Sequence, residues 1–105
     1  MMTYIFVTTT FSDKVEAEKV GKVVVNNQLG ACFQIIGPME SIYSWDGKIE
    51  ISEEYICFIK TKKELFEELE ELIKKLHSYD TPEIIALDVK TGSHDYLDWI
   101  DKVTG

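Results

Sequence analysis

Ser41-Ile42-Tyr43-Ser44-Trp45-Asp46-Gly47-Lys48-Ile49-Glu50 is the stretch that decides the fold. Asp46-Gly47 is a strong two-residue hairpin signal, because a type I′ turn needs positive φ at both central residues. Before it the chain is extended through Ile42, Tyr43 and Trp45, and an apolar run from Ala31 to Ile36 precedes Gly37-Pro38. After it a strand runs from Lys48 to Thr61. In its second half Tyr55, Cys57 and Ile59 alternate with Ile56, Phe58 and Lys60, so both faces can be covered there. So long a hairpin projects beyond a single domain, and its edges are where subunits would pair or exchange strands.

Upstream, Tyr4 to Thr10 has the β-branched and aromatic composition of a buried strand. Ser12 or Asp13 can cap a helix, with Glu16 and Glu18 near its positive end. Val15, Val20, Val23, Val24 and Gln28 fit helical spacing, and Asn26 to Gly30 stops the helix. Downstream, Thr61-Lys62-Lys63-Glu64 reads as a capping box, and Leu65, Leu69, Leu72, Ile73 and Leu76 form the stripe of a second helix. His77 to Pro82 is a loop, Glu83 to Val89 a fourth strand, and Asp95 to Lys102 a short amphipathic helix. This order predicts an α+β ferredoxin-like sandwich, βαββαβ plus a short C-terminal helix, as one domain over residues 1–105. Two helices then cover one sheet face. The other needs protection, which trimerisation would give.

Charge narrows the function. Nineteen acidic residues face 11 basic ones for a formal charge of −8, and all 11 are lysine. Arginine is the usual bidentate partner of phosphates and base edges, so its absence argues against nucleic acid and against an arginine-based phosphate cradle. An acidic surface does attract cations, although a charge of this size serves solubility first. The N-terminal run MMTYIFVTTT is too short to span a membrane and lacks an export signal's basic region and cleavage site. A cytoplasmic protein with Cys32 and Cys57 reduced is the expectation, and neither belongs to a CxxC pair or a zinc-finger spacing.

Leu29-Gly30-Ala31-Cys32, Ser41 through Glu50, Ile59-Lys60-Thr61, His77-Ser78-Tyr79-Asp80-Thr81-Pro82-Glu83-Ile84 and Asp95-Tyr96-Leu97-Asp98-Trp99 together span nearly the whole chain. In order and spacing they resemble the CutA divalent-cation-tolerance family. The resemblance implies a cytoplasmic homotrimer of ferredoxin-like protomers, similar in architecture to the PII signalling proteins. It also implies a role in divalent-cation tolerance, copper binding and no enzymatic activity. The chain departs from the family pattern at Ser78, where proline is common, and at Gly30, where alanine is more usual. Val7 and Leu76 stand where some relatives carry a metal-binding cysteine and a second histidine, so a copper mode built on those groups does not transfer.

The candidate metal ligands are Cys32, His77, Glu50 and Glu83, a mixed soft and hard set from one or several subunits for Cu2+, Cu+ or another divalent cation. Each has a plainer reading. Cys32 can be a small buried hydrophobe, and His77 can cap a helix end. Cys57 reads as core and His94 as an exposed loop residue. Glu50, Lys60, Tyr79 and Glu83 are expected near a shared intersubunit cleft with Tyr43 and Trp45, as a ligand site or as a polar seam. The alternative function is a PII-like sensor or adaptor whose cleft takes a small anionic effector through Lys60 or docks a partner protein. No nucleophile and base pair by spacing, which disfavours an enzyme.

Overall fold

The computed structural model describes residues 3–105, so Met1 and Met2 of the N-terminal run lie outside the described residues. The elements are β1 (Tyr4–Phe11), α1 (Lys14–Asn26), β2 (Cys32–Trp45), β3 (Lys48–Lys62), α2 (Phe66–Leu76), β4 (Ile85–Asp88) and α3 (His94–Val103). One antiparallel sheet has the strand order β2-β3-β1-β4. The fold is α+β, with the element order that the sequence predicts.

Local chemistry sets the boundaries. Asp13 caps α1 by accepting from the Val15 amide at 3.2 Å. Asp46 (φ 53°) and Gly47 (φ 77°) both take the left-handed conformation that the two-residue turn demands. The capping box at Thr61 does not form. Thr61 is still in β3 with its side chain in the core, and a 3₁₀ turn over Lys63–Leu65 leads into α2 instead. β4 is shorter than the predicted Glu83–Val89, and Glu83, just before it, accepts from Thr8 Oγ1 of β1 at 2.8 Å. α3 starts at His94, with Ser93 Oγ accepting from the Tyr96 amide at 3.1 Å.

The core lies between the sheet and helices α1 and α2. Ile5, Val7 and Phe11 of β1 and Cys57 and Ile59 of β3 point up to meet Ala17, Val20 and Val24 of α1 and Leu69 and Ile73 of α2. Val15, although in register with the valine pattern, is exposed. Gly30 has a packing reason. A Cβ there would fall 2.7 Å from Ile59 Cγ2 and 2.9 Å from Val24 Cγ1, so this core has no room for an alanine at that position.

Because side chains alternate along a strand, Phe6, Thr8 and Thr10 of β1 and Glu54, Ile56, Phe58 and Lys60 of β3 face the other side. Among the described residues, no helix covers most of that open face. Beyond the bulge between Ile36 and Met39, the hairpin runs on as a two-stranded ribbon with Ile42, Ile49 and Ile51 64%, 73% and 62% exposed.

Candidate functional site

The open face has two ends of opposite character. At one end β2 begins. Cys32 pairs across to Lys60, whose Nζ donates to Gln34 Oε1 at 2.7 Å and lies 5.8 Å from the centroid of the Tyr96 ring. Tyr96 arrives on α3 with its hydroxyl 3.8 Å from Cys32 Sγ. Burial and the neighbouring thiol raise the pKa of that phenol. Lys62, nearly buried, holds α3 down through Asp101 at 3.2 Å and the Thr104 carbonyl at 3.1 Å.

At the other end, where the ribbon leaves the sheet, lies a cleft of about 510 Å³. The ribbon contributes Tyr43, Trp45 and Glu50, β3 adds Glu54, β1 adds Thr10, and the loop before β4 supplies Tyr79, Asp80, Thr81 and Glu83. Four carboxylates and three aromatic rings line it without one lysine. Tyr79 donates its hydroxyl to Glu54 Oε2 at 2.7 Å, and Thr8 Oγ1 donates to Glu83 Oε2 at 2.8 Å. Burial first, and the Glu54 hydrogen bond second, push the Tyr79 phenol up to about 12, so it remains a donor at neutral pH. A larger groove of about 740 Å³ along α1 is walled by Phe33, Ile35, Val23 and Val25 together with Glu18, Lys22 and Asn26, where a single carboxylate faces a lysine instead of three further acids.

Tyr43, Trp45, Glu50, Tyr79 and Glu83 therefore share one cleft, and Lys60 does not. It stands ten residues from Glu50 along the same strand, roughly 33 Å at about 3.3 Å per residue. An anionic effector held by Lys60 in this cleft has no structural basis in one chain, and four carboxylates would repel it. Cys32 pairs with Lys60 at that end as well, ten residues along β3 from Glu50.

His77 is placed differently from a free ligand. Its ring stacks on Phe11 with centroids 4.2 Å apart. The Thr10 carbonyl lies 2.7 Å from Nε2, and the Tyr79 amide donates to Nδ1 at 3.0 Å. A carbonyl can only accept and an amide N–H can only donate, so the partners fix a neutral imidazole with hydrogen on Nε2. Both nitrogens are occupied, and a metal at either one must displace a hydrogen bond. Within one chain the set Cys32, His77, Glu50 and Glu83 does not converge. Among the described residues, no three His, Cys, Asp or Glu side chains are grouped to hold a metal ion. Cys57 is core, with its thiol pushed up to about 12 by burial. His94 sits exposed at the start of α3, 3.3 Å from Asp98.

Sequence reasoning missed Glu54, Thr10, Asp80 and Thr81 in the cleft. Glu54 could have been found, because it shares the strand parity of Glu50, and Thr10 shares the open-face parity of Phe6. Asp80 and Thr81 carry no such signal, since loop positions have no period.

The fold and cleft define a small α+β protein with an open sheet face, a projecting ribbon and an acidic, aromatic recess suited to cations. Residues 5–103 match the family described as "CutA1 divalent ion tolerance protein". The divalent-cation tolerance protein CutA of Pyrococcus horikoshii is 44% identical over 100 residues, covering 95% of this chain and 97% of that protein. The solved structure titled "Periplasmic divalent cation tolerance protein CutA" from Archaeoglobus fulgidus superposes with a TM-score of 0.93 at 37% identity, covering 95% of this chain and 97% of that one. The chloroplastic CutA of Arabidopsis thaliana is 37% identical over 95% of this chain, which spans only 55% of that protein's length. The chain belongs to the CutA1 divalent ion tolerance family.

Proposed function

We propose that this protein serves divalent-cation tolerance as a non-catalytic cytoplasmic homotrimer, taking up divalent cations at the cleft carboxylates of Glu50 and Glu83, with Glu54 beside them. One observation carries the reading: four carboxylates and no basic side chain line the recess at the base of the ribbon. Carboxylate and phenol oxygens are hard donors, which suits a divalent ion and, for copper, favours Cu2+ over Cu+. The soft thiol of Cys32 lies at the opposite end of the face and is left outside this site. Among the described residues of one chain no three ligands are grouped, so the neighbouring subunits are assigned the remaining donors. Trimerisation is supported by the exposed ribbon isoleucines and by Ile85 and Leu87 on the open face. The cytoplasmic assignment rests on two unpaired cysteines.

The test is a titration with Cu2+ against a competing chelator, comparing wild type with Glu50→Gln/Glu83→Gln and with Cys32→Ser. Stoichiometric binding should weaken by at least about tenfold in the glutamine pair and remain unchanged in Cys32→Ser. Equal binding by the glutamine pair, or loss in Cys32→Ser, contradicts the proposal.

A further inference from the structure

The loop from Ser78 to Pro82 has no regular structure, yet it and the adjoining Glu83 supply four of the cleft's lining residues. Its placement depends on side chains from three other elements. Glu16 of α1 takes the Ser78 amide at 2.8 Å on one oxygen and the Ser78 hydroxyl at 2.9 Å on the other. Glu54 of β3 holds the Tyr79 hydroxyl, and Thr8 of β1 holds Glu83. All four of these bonds are exposed or only partly buried, where water competes for each. His77 differs, because its contact to the Thr10 carbonyl is buried.

We propose that His77 is a positioning residue, the bolt that fixes this loop and so shapes the wall of the cation cleft. It joins β1 to the loop through one rigid ring: Nε2–H donates to the Thr10 carbonyl, and Nδ1 accepts from the Tyr79 amide. Thr10 and Tyr79 both line the cleft, so the imidazole bridges the backbone of two of its walls from behind. Stacking on Phe11, and the tilted Tyr79 ring at 4.7 Å, hold the imidazole plane itself. A five-membered ring with a donor and an acceptor at fixed separation spans both partners, which an aliphatic side chain of equal volume cannot do. The bond to the Tyr79 amide does the positioning, because it sets where Tyr79 directs its hydroxyl toward Glu54.

The inference rests on the cleft being the cation site, and the test separates the two. His77→Asn keeps an acceptor near Nδ1, His77→Gln keeps a donor near Nε2, and His77→Ala keeps neither. Nitrogen-15 NMR of the wild-type imidazole should show hydrogen on Nε2 only, and the Tyr79 amide should be protected from hydrogen exchange. His77→Ala and His77→Gln should lose that protection and weaken Cu2+ binding by about tenfold, while His77→Asn restores both. Unchanged exchange at Tyr79 in His77→Ala and His77→Gln would overturn the bolt. So would lost protection in all three variants with undiminished Cu2+ affinity. A wild type that shows the tautomer and the protection but takes up no cation refutes the cation site and leaves the bolt standing.

Discussion

The long hairpin has two halves of similar composition and opposite fate. In the first, Phe33 and Ile35 of β2 pair with Ile59 and Cys57 of β3 beneath α1, and the β3 pair is sealed from water. In the second, Ile42 pairs with Ile51 while Ile49 and Trp45 stand near the turn, and all four are exposed. Strand propensity builds both halves equally well, since β-branched and aromatic residues fill each. What lies across the sheet decides burial, and the helices end where the ribbon begins. A bare two-stranded ribbon is marginally stable at best in water, so the second half calls for a surface from outside its own chain.

The largest expected effect lies in the covered half. Ile59→Ala removes a fully buried side chain from beneath α1 and should lower unfolding stability by about 2–5 kcal/mol, measured by urea denaturation. The matching Ile51→Ala in the bare half should cost an isolated chain less than about 0.5 kcal/mol, as exposed substitutions usually do. A larger loss that grows on dilution would show that other copies bury Ile51 and would sharpen the contrast.

A smaller effect comes from the junction of the halves, where Tyr79 meets Glu54. Its phenol titrates at about 12 in the folded protein against an ordinary 10.0, so the folded form holds that proton more tightly than the unfolded chain does. The contribution is complete below pH 10 and is lost as pH rises toward about 12. Tyr79→Phe should therefore flatten part of the alkaline decline in stability, followed by denaturant midpoints across that window. Cys57, also raised to about 12 by burial, loses stability in an overlapping range in both proteins, so only the difference between them reports Tyr79. Identical slopes would break the link between Tyr79 and the folded junction.

Much of this was legible from residues alone. Asp46-Gly47 located the turn, and alternation in the second half of β3 signalled that both of its faces can be covered. Alternation has no scale along the strand, however, so it does not tell that Lys60 stands six residues from Glu54, roughly 20 Å at about 3.3 Å per residue, and outside the lining of this cleft within one chain. Glu54 shares the strand parity of Glu50, but the tyrosine that holds it lies 25 residues further along the chain, a pairing no local pattern announces. His77 carried a metal ligand's chemistry, and only the approach of Thr10 and Tyr79 shows that both nitrogens are taken.

The central claim is that the bare half of the hairpin and the cleft at its base are completed by two further copies of this chain. Sedimentation velocity of the purified protein at micromolar concentration tests it most directly. The account predicts one species at three times the mass of a single chain. A single-chain mass under the same conditions would contradict it and leave the ribbon isoleucines without a partner.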